Sequence, residues 1–109
     1  MAANESTAMI GRIEATPGNR DELARALVLD VDSMPGCLTY LVAVDPGDPN
    51  GIWIAEAWES SEAHTRWLQS DATQALVTTI RPLMVGYEQR HELSPIGGSP
   101  AIFGPGRLA

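Results

Sequence analysis

The chain has 109 residues, which suits one domain and not two, and its 44% hydrophobic and 19% charged residues are the composition of a globular domain rather than a disordered or fibrous one. Fourteen acidic against seven basic residues give a formal net charge of −7. Such a surface repels phosphate backbones and anionic headgroups, so neither nucleic acid nor membrane is an expected partner.

Residues 1–7 are polar and read as a flexible lead without the basic and apolar regions of a signal peptide. Met9 to Ala15 alternates as a strand, with Met9, Gly11, Ile13 and Ala15 on one face and Ile10, Arg12 and Glu14 on the other. Thr16-Pro17-Gly18-Asn19 is a turn whose Asn19 can cap a helix, and Asp21 and Glu22 suit the positive end of its dipole. Leu23, Leu27, Val31 and Met34 recur at helical spacing until Pro35-Gly36 ends the run. Cys37 to Val44 and Ile52 to Trp58 are two apolar strands joined by the turn residues Asp45 to Gly51, hence a hairpin. Ser60 or Ser61 caps a second helix running to Gln69, and Ser70-Asp71 caps its continuation from Ala72 to Met84, in which Pro82 breaks the last turn. Gly86 to Leu93 alternates as a fourth strand. The tail from Ser94 is rich in Pro and Gly, with Ile96, Ile102, Phe103 and Leu108 as apolar points able to lie on another surface. Residues 1–93 therefore read as one domain and 94–109 as a C-terminal tail. No apolar run approaches the ~20 residues of a membrane span, the lone Cys37 precludes an internal disulfide, and the expected location is cytoplasmic.

The order strand, helix, strand, strand, helix, strand is the split βαβ arrangement of an α+β, ferredoxin-like domain with a four-stranded antiparallel sheet. Right-handed crossovers place both helices on one sheet face. The other face of such apolar strands would be a large exposed patch. A second copy of the chain is the simplest cover, which predicts a homodimer through the sheet faces.

The runs Pro35-Gly36-Cys37-Leu38-Thr39-Tyr40, Asp45-Pro46-Gly47-Asp48-Pro49-Asn50, Glu56-Ala57-Trp58-Glu59-Ser60 and Glu62-Ala63 resemble the antibiotic biosynthesis monooxygenase family. Thr16-Pro17-Gly18 before the first helix and Pro82-Leu83 before the last strand fit as well, so the resemblance spans residues 9–93. It implies a dimeric α/β barrel of two ferredoxin-like chains. The family includes cofactor-independent oxygenases of quinols and polyketide anthrones, heme-degrading enzymes and isomerases. Where many quinol-oxygenase-like members carry a His on the second helix, this chain has Trp67, and its nearest His, His64, lies one turn earlier. The heme-degrading branch resembles Trp67-Leu68-Gln69-Ser70-Asp71, but the Asn and His that it also needs are here Gly11 and Val77. Iron would lack its axial imidazole, and no cofactor is expected.

His64 and His91 are far apart with no carboxylate or Cys at ligand spacing, so no metal site is expected. No phosphate-binding glycine loop and no nucleophile elbow occur. Cys37, on an apolar strand, reads as buried and inert. His64 and Trp67, three apart, are neighbours on one helix face. With Tyr40 and Trp58 they suggest catalysis: a flat aromatic ligand stacks on Trp67, and His64 takes a phenolic proton. An ionised dihydroxyarene then donates an electron to O2 and serves as its own reductant. In the plainer alternative Trp58 and Trp67 are core or interface aromatics and His64 is solvated. Gly11 leaves room on the helix-facing side, for a pocket or for close packing. Arg81 can reach a ligand oxygen or partner the helix dipole. His91 faces either the cavity or the dimer seam, and Arg12 and Glu14 can pair across that seam. The leading expectation is a cofactor-independent monooxygenase acting with O2 on a quinol or polyketide-type aromatic. The alternatives are a small-molecule-binding dimer without turnover and an isomerase of a small oxo-compound.

Overall fold

The computed structural model describes residues 5–29 and 33–99. β1 (Thr7–Ala15) pairs on both sides: with β3 (Gly51–Trp58), which in turn pairs β2 (Cys37–Val44), and with β4 (Met84–Leu93). The result is an antiparallel sheet of order β2-β3-β1-β4. α1 (Arg20–Leu27), α2 (Ser61–Gln69) and α3 (Asp71–Ile80) complete a ferredoxin-like α+β fold.

Period-two alternation decides which strand residues meet the helices. Ile13, Ala15, Ile52 and Ile54 point inward and close a core with Leu23 and Leu27 of α1 and Ile80 of α3. Beside it, Trp58, Met34 and Ala63 form a second buried cluster. The opposite sheet face carries Ile10, Leu41 and Leu93, which are 36%, 59% and 50% exposed. Among the described residues no helix covers it.

The helix ends follow local chemistry. Ser60 Oγ accepts the Ala63 N–H, and Ser70 Oγ accepts the Thr73 N–H, so each serine caps the helix that follows it. Asn19 occupies the N-cap position of α1 but makes no capping bond; its Nδ2 donates instead to Thr16 Oγ1 at 2.7 Å. α1 is shorter than its apolar spacing suggests. It ends at Leu27, where Val28 and Leu29 donate back three residues to Arg25 and Ala26. Met34 is buried, but against Trp58 and Ala63 rather than on the α1 stripe, and Val31 lies outside the described residues. Ile102, Phe103 and Leu108 of the tail lie outside them too. α3 likewise stops at Ile80; Pro82 sits in a 3-10 turn, Arg81–Leu83, and Met84 already pairs with Ala15 as the first residue of β4.

Gly36 turns the chain into β2 at φ 84°, and a Cβ there would stand 2.6 Å from that of Ala63. Only glycine meets both demands. The β2–β3 turn is pinned by arginines. Arg20 Nη1 donates to the Asp45 and Asp48 carbonyls at 3.0 and 2.9 Å, and Arg12 pairs with the Asp48 carboxylate. Arg12 also engages Glu88 and Glu14 of its own chain. The hydrogen bond from Arg12 holds the Asp48 carboxyl below the usual carboxylate range.

Candidate active site

Between the inner sheet face and the helices lies a cavity of about 360 Å³, within the ~300–1,000 Å³ range typical of small-molecule sites. Ile13, Ile54, Leu76, Val77 and Ile80 supply apolar walls. The polar groups come from Tyr40, Glu56, His64, Thr73, Tyr87 and Arg90.

Of the residues singled out from the sequence, Gly11, Tyr40, His64 and Trp67 meet in this cavity. Helical spacing brings His64 and Trp67 together on α2, their rings 6.3 Å apart and nearly parallel at 25°. Tyr40 approaches Trp67 edge-on at 6.4 Å. Trp58 is not part of the lining. It is fully buried behind it, 5.1 Å from the His64 ring and 5.3 Å from that of Trp67, and so supports both. Arg81 is exposed at the C-cap of α3 and outside the lining. The space over Gly11 is used by a neighbour: a Cβ there would lie 3.3 Å from Tyr87 Cε1.

The bulge in β4 decides between His91 and Arg90. Ile10 pairs His91 and Arg12 pairs Glu88, so Gln89 and Arg90 together stand opposite Gly11, with Gln89 at φ 51°. The extra residue resets the alternation. Tyr87 and Arg90 line the cavity, while His91, which pairs with Ile10, does not.

Glu56, like Tyr87 and Arg90, was not singled out from the sequence. It is buried at 8% exposure, and its Oε1 accepts the Trp58 Nε1–H at 2.7 Å and lies 3.4 Å from His64 Nε2. A signal was present: Glu56 is the one charged residue in Ile52–Trp58, and it shares its inward parity with Ile52, Ile54 and Trp58.

Burial sets the protonation states. Desolvation holds the His64 pKa below its ordinary 6.5, with Arg90 pushing the same way and Glu56 opposing. Partial burial, reinforced by Glu56, raises both Tyr40 and the half-exposed Tyr87, so each stays a neutral phenol able to donate a hydrogen bond. Among the described residues no hydrogen bond engages either hydroxyl. Burial also pushes the Cys37 thiol up to about 11, which leaves it protonated and unreactive at neutral pH. The site thus offers a neutral imidazole beside a carboxylate, two phenol donors and an indole face.

The fold is that of a small ferredoxin-like α+β protein with an aromatic-lined cavity between sheet and helices. Residues 7–79 match the family model of the antibiotic biosynthesis monooxygenases, and the chain belongs to that family. A solved Chloroflexus aurantiacus structure bearing the antibiotic biosynthesis monooxygenase name is 45% identical, with a TM-score of 0.82 over 86% of this chain and 96% of that one. A Pseudomonas aeruginosa protein (21% identity, TM-score 0.74, 89% and 100% covered) shares the fold. So does SnoaB, a cofactor-independent oxygenase from Streptomyces nogalater, at 14% identity and TM-score 0.69, with 88% of this chain and 98% of that one covered. Among curated proteins no sequence relative matches. Among the described residues no cluster of three His, Cys, Asp or Glu could hold a metal ion, and no helix is long and apolar enough to cross a membrane.

Proposed function

We propose that the protein is a cofactor-independent monooxygenase that uses O2 on a quinol or polyketide-type aromatic. The observation that carries this reading is the His64–Glu56 pair beside the Trp67 face in a cavity with largely apolar walls. The ring stacks on Trp67, and His64 accepts a phenolic proton, with the Glu56 carboxylate stabilising the imidazolium. The anion passes one electron to O2, and recombination forms a carbon–oxygen bond. Loss of water then leaves a new carbonyl. For a methylene carbon the balance is CH2 + O2 → C=O + H2O; for a hydroquinone it is QH2 + O2 → hydroxyquinone + H2O. Every electron comes from the substrate. The phenol groups of Tyr40 and Tyr87 donate to developing oxyanions, and the apolar walls exclude water.

Oxygen uptake by the purified chain with a panel of hydroquinones and anthrones is the direct test. One O2 consumed per product, above the uncatalysed rate, is the expected result; no acceleration anywhere in the panel would overturn the proposal. Conversion of a compound without oxygen would assign the cavity to isomerisation, and binding without conversion to a ligand-binding role.

We also propose that the working form is a homodimer, with the uncovered outer sheet faces packed together as a dimeric α/β barrel. The support is the apolar stripe of Ile10, Leu41 and Leu93 on a face without helices. Sedimentation equilibrium is expected to give twice the 11.7 kDa chain mass, and Leu41→Glu to halve it. A stable monomer for the unaltered chain would refute this assembly.

A further inference from the structure

Arg90 is the only Lys or Arg among the described residues that lines the cavity. Its side chain is 45% exposed, so water meets part of its charge, and its contacts within the protein are weak. One guanidinium nitrogen lies 3.5 Å from Met9 Sδ, a weak acceptor, and another lies 3.9 Å from the carboxylate of Glu92, whose side chain is 73% exposed. Arg12, on the opposite face, differs sharply: Asp48, Glu88 and Glu14 all engage it. Arg90's field nevertheless reaches the cavity, since it lowers the proton affinity of both His64 and Tyr87. A guanidinium with free donors in a fixed fork is the natural receiver of a planar oxyanion.

The cavity is polarised from one side to the other. Glu56 stands on β3 and Arg90 on β4, with β1 between them. Two strand spacings of about 4.8 Å separate their backbones by roughly 10 Å. A carboxylate is repelled at the Glu56 side and attracted at the Arg90 side, so an acidic ligand has one favoured orientation.

We infer that the cavity selects aromatic acids, binding a ring whose carboxylate is held by Arg90 while a hydroxyl at its far end faces His64 and Glu56. The hydroxyl end rests on the function proposed above; the carboxylate end stands on Arg90 alone.

The test is binding, read by tryptophan fluorescence or calorimetry, with a matched pair: 6-hydroxy-2-naphthoate and 2-naphthol. The unaltered protein is expected to bind the naphthoate roughly tenfold or more tighter than the naphthol. Arg90→Gln should erase that preference while leaving naphthol affinity within about twofold, which also shows that the variant is folded; Arg90→Lys should restore part of it. Equal affinities in the unaltered protein, equal losses of both ligands in Arg90→Gln, or failure of both to bind would overturn the inference. Because no turnover is measured, oxygen uptake with a neutral quinol would leave the monooxygenase reading standing whatever the naphthoate does.

Discussion

His64→Ala is expected to lower kcat/KM of the oxygen-dependent reaction by roughly 10²–10⁴-fold, the usual worth of a positioned general base. Its effect on the pH profile separates a base from a packing residue. Burial depresses the His64 pKa, so the imidazole stays neutral to a lower pH than an ordinary histidine. Activity should therefore fall on the acid side with a midpoint below 6.5, and His64→Ala should abolish that limb. Glu56 opposes the depression, so Glu56→Gln should move the midpoint further down. Arg90 acts in the depressing direction, so Arg90→Gln should move it up. Stability obeys the same sign. The folded state binds the His64 proton less readily than the unfolded chain, so acidification through the ordinary histidine range costs stability, and this contribution is fully present above about pH 6.5. A profile unchanged by His64→Ala would remove His64 from the chemistry.

Trp58→Ala is expected to cost about 3–5 kcal/mol of stability, the range for emptying a large aromatic site from a core. Trp58 is fully buried, at 0% exposure, and anchors the cluster with Met34 and Ala63. Its indole N–H also donates to the buried Glu56 carboxylate, at 2.7 Å. Trp58→Phe keeps much of the ring and removes that donor. It should cost about 1–3 kcal/mol, the penalty for a buried polar group that loses its partner. Urea unfolding of the two variants measures both figures. A Phe variant as stable as the unaltered chain would show that the Trp58–Glu56 bond contributes nothing net. A Phe variant as unstable as the Ala variant would show that ring packing is not what Trp58 supplies.

The proposed function joins residues of different legibility. His64 and Trp67 could be paired from spacing alone, because residues three apart on a helix are neighbours on one face. Gly11 and Tyr40 were reachable through strand parity. Glu56 was equally reachable, since its parity matches Ile52 and Ile54, but a carboxylate in an apolar strand gains meaning only once an imidazole on another element is found 3.4 Å away. Trp58 shows the converse: its aromatic character suggested ligand contact, whereas its place is behind the site, where it orients the residues that line it.

Local rules wrote the element order, the inward face of β1, the hairpin at Asp45 to Gly51 and the serine caps of α2 and α3 into the chain, because each depends on neighbours within a few residues. The end of α1 at Leu27 and the early start of β4 at Met84 were decided by packing and by pairing with Ala15. The bulge at Gln89 is the sharpest case. One unpaired residue turned Arg90 into the cavity and His91 out of it, and nothing in Gly86 to Leu93 announces it. A register shift belongs to two strands at once, so only their pairing could determine which cation the cavity received.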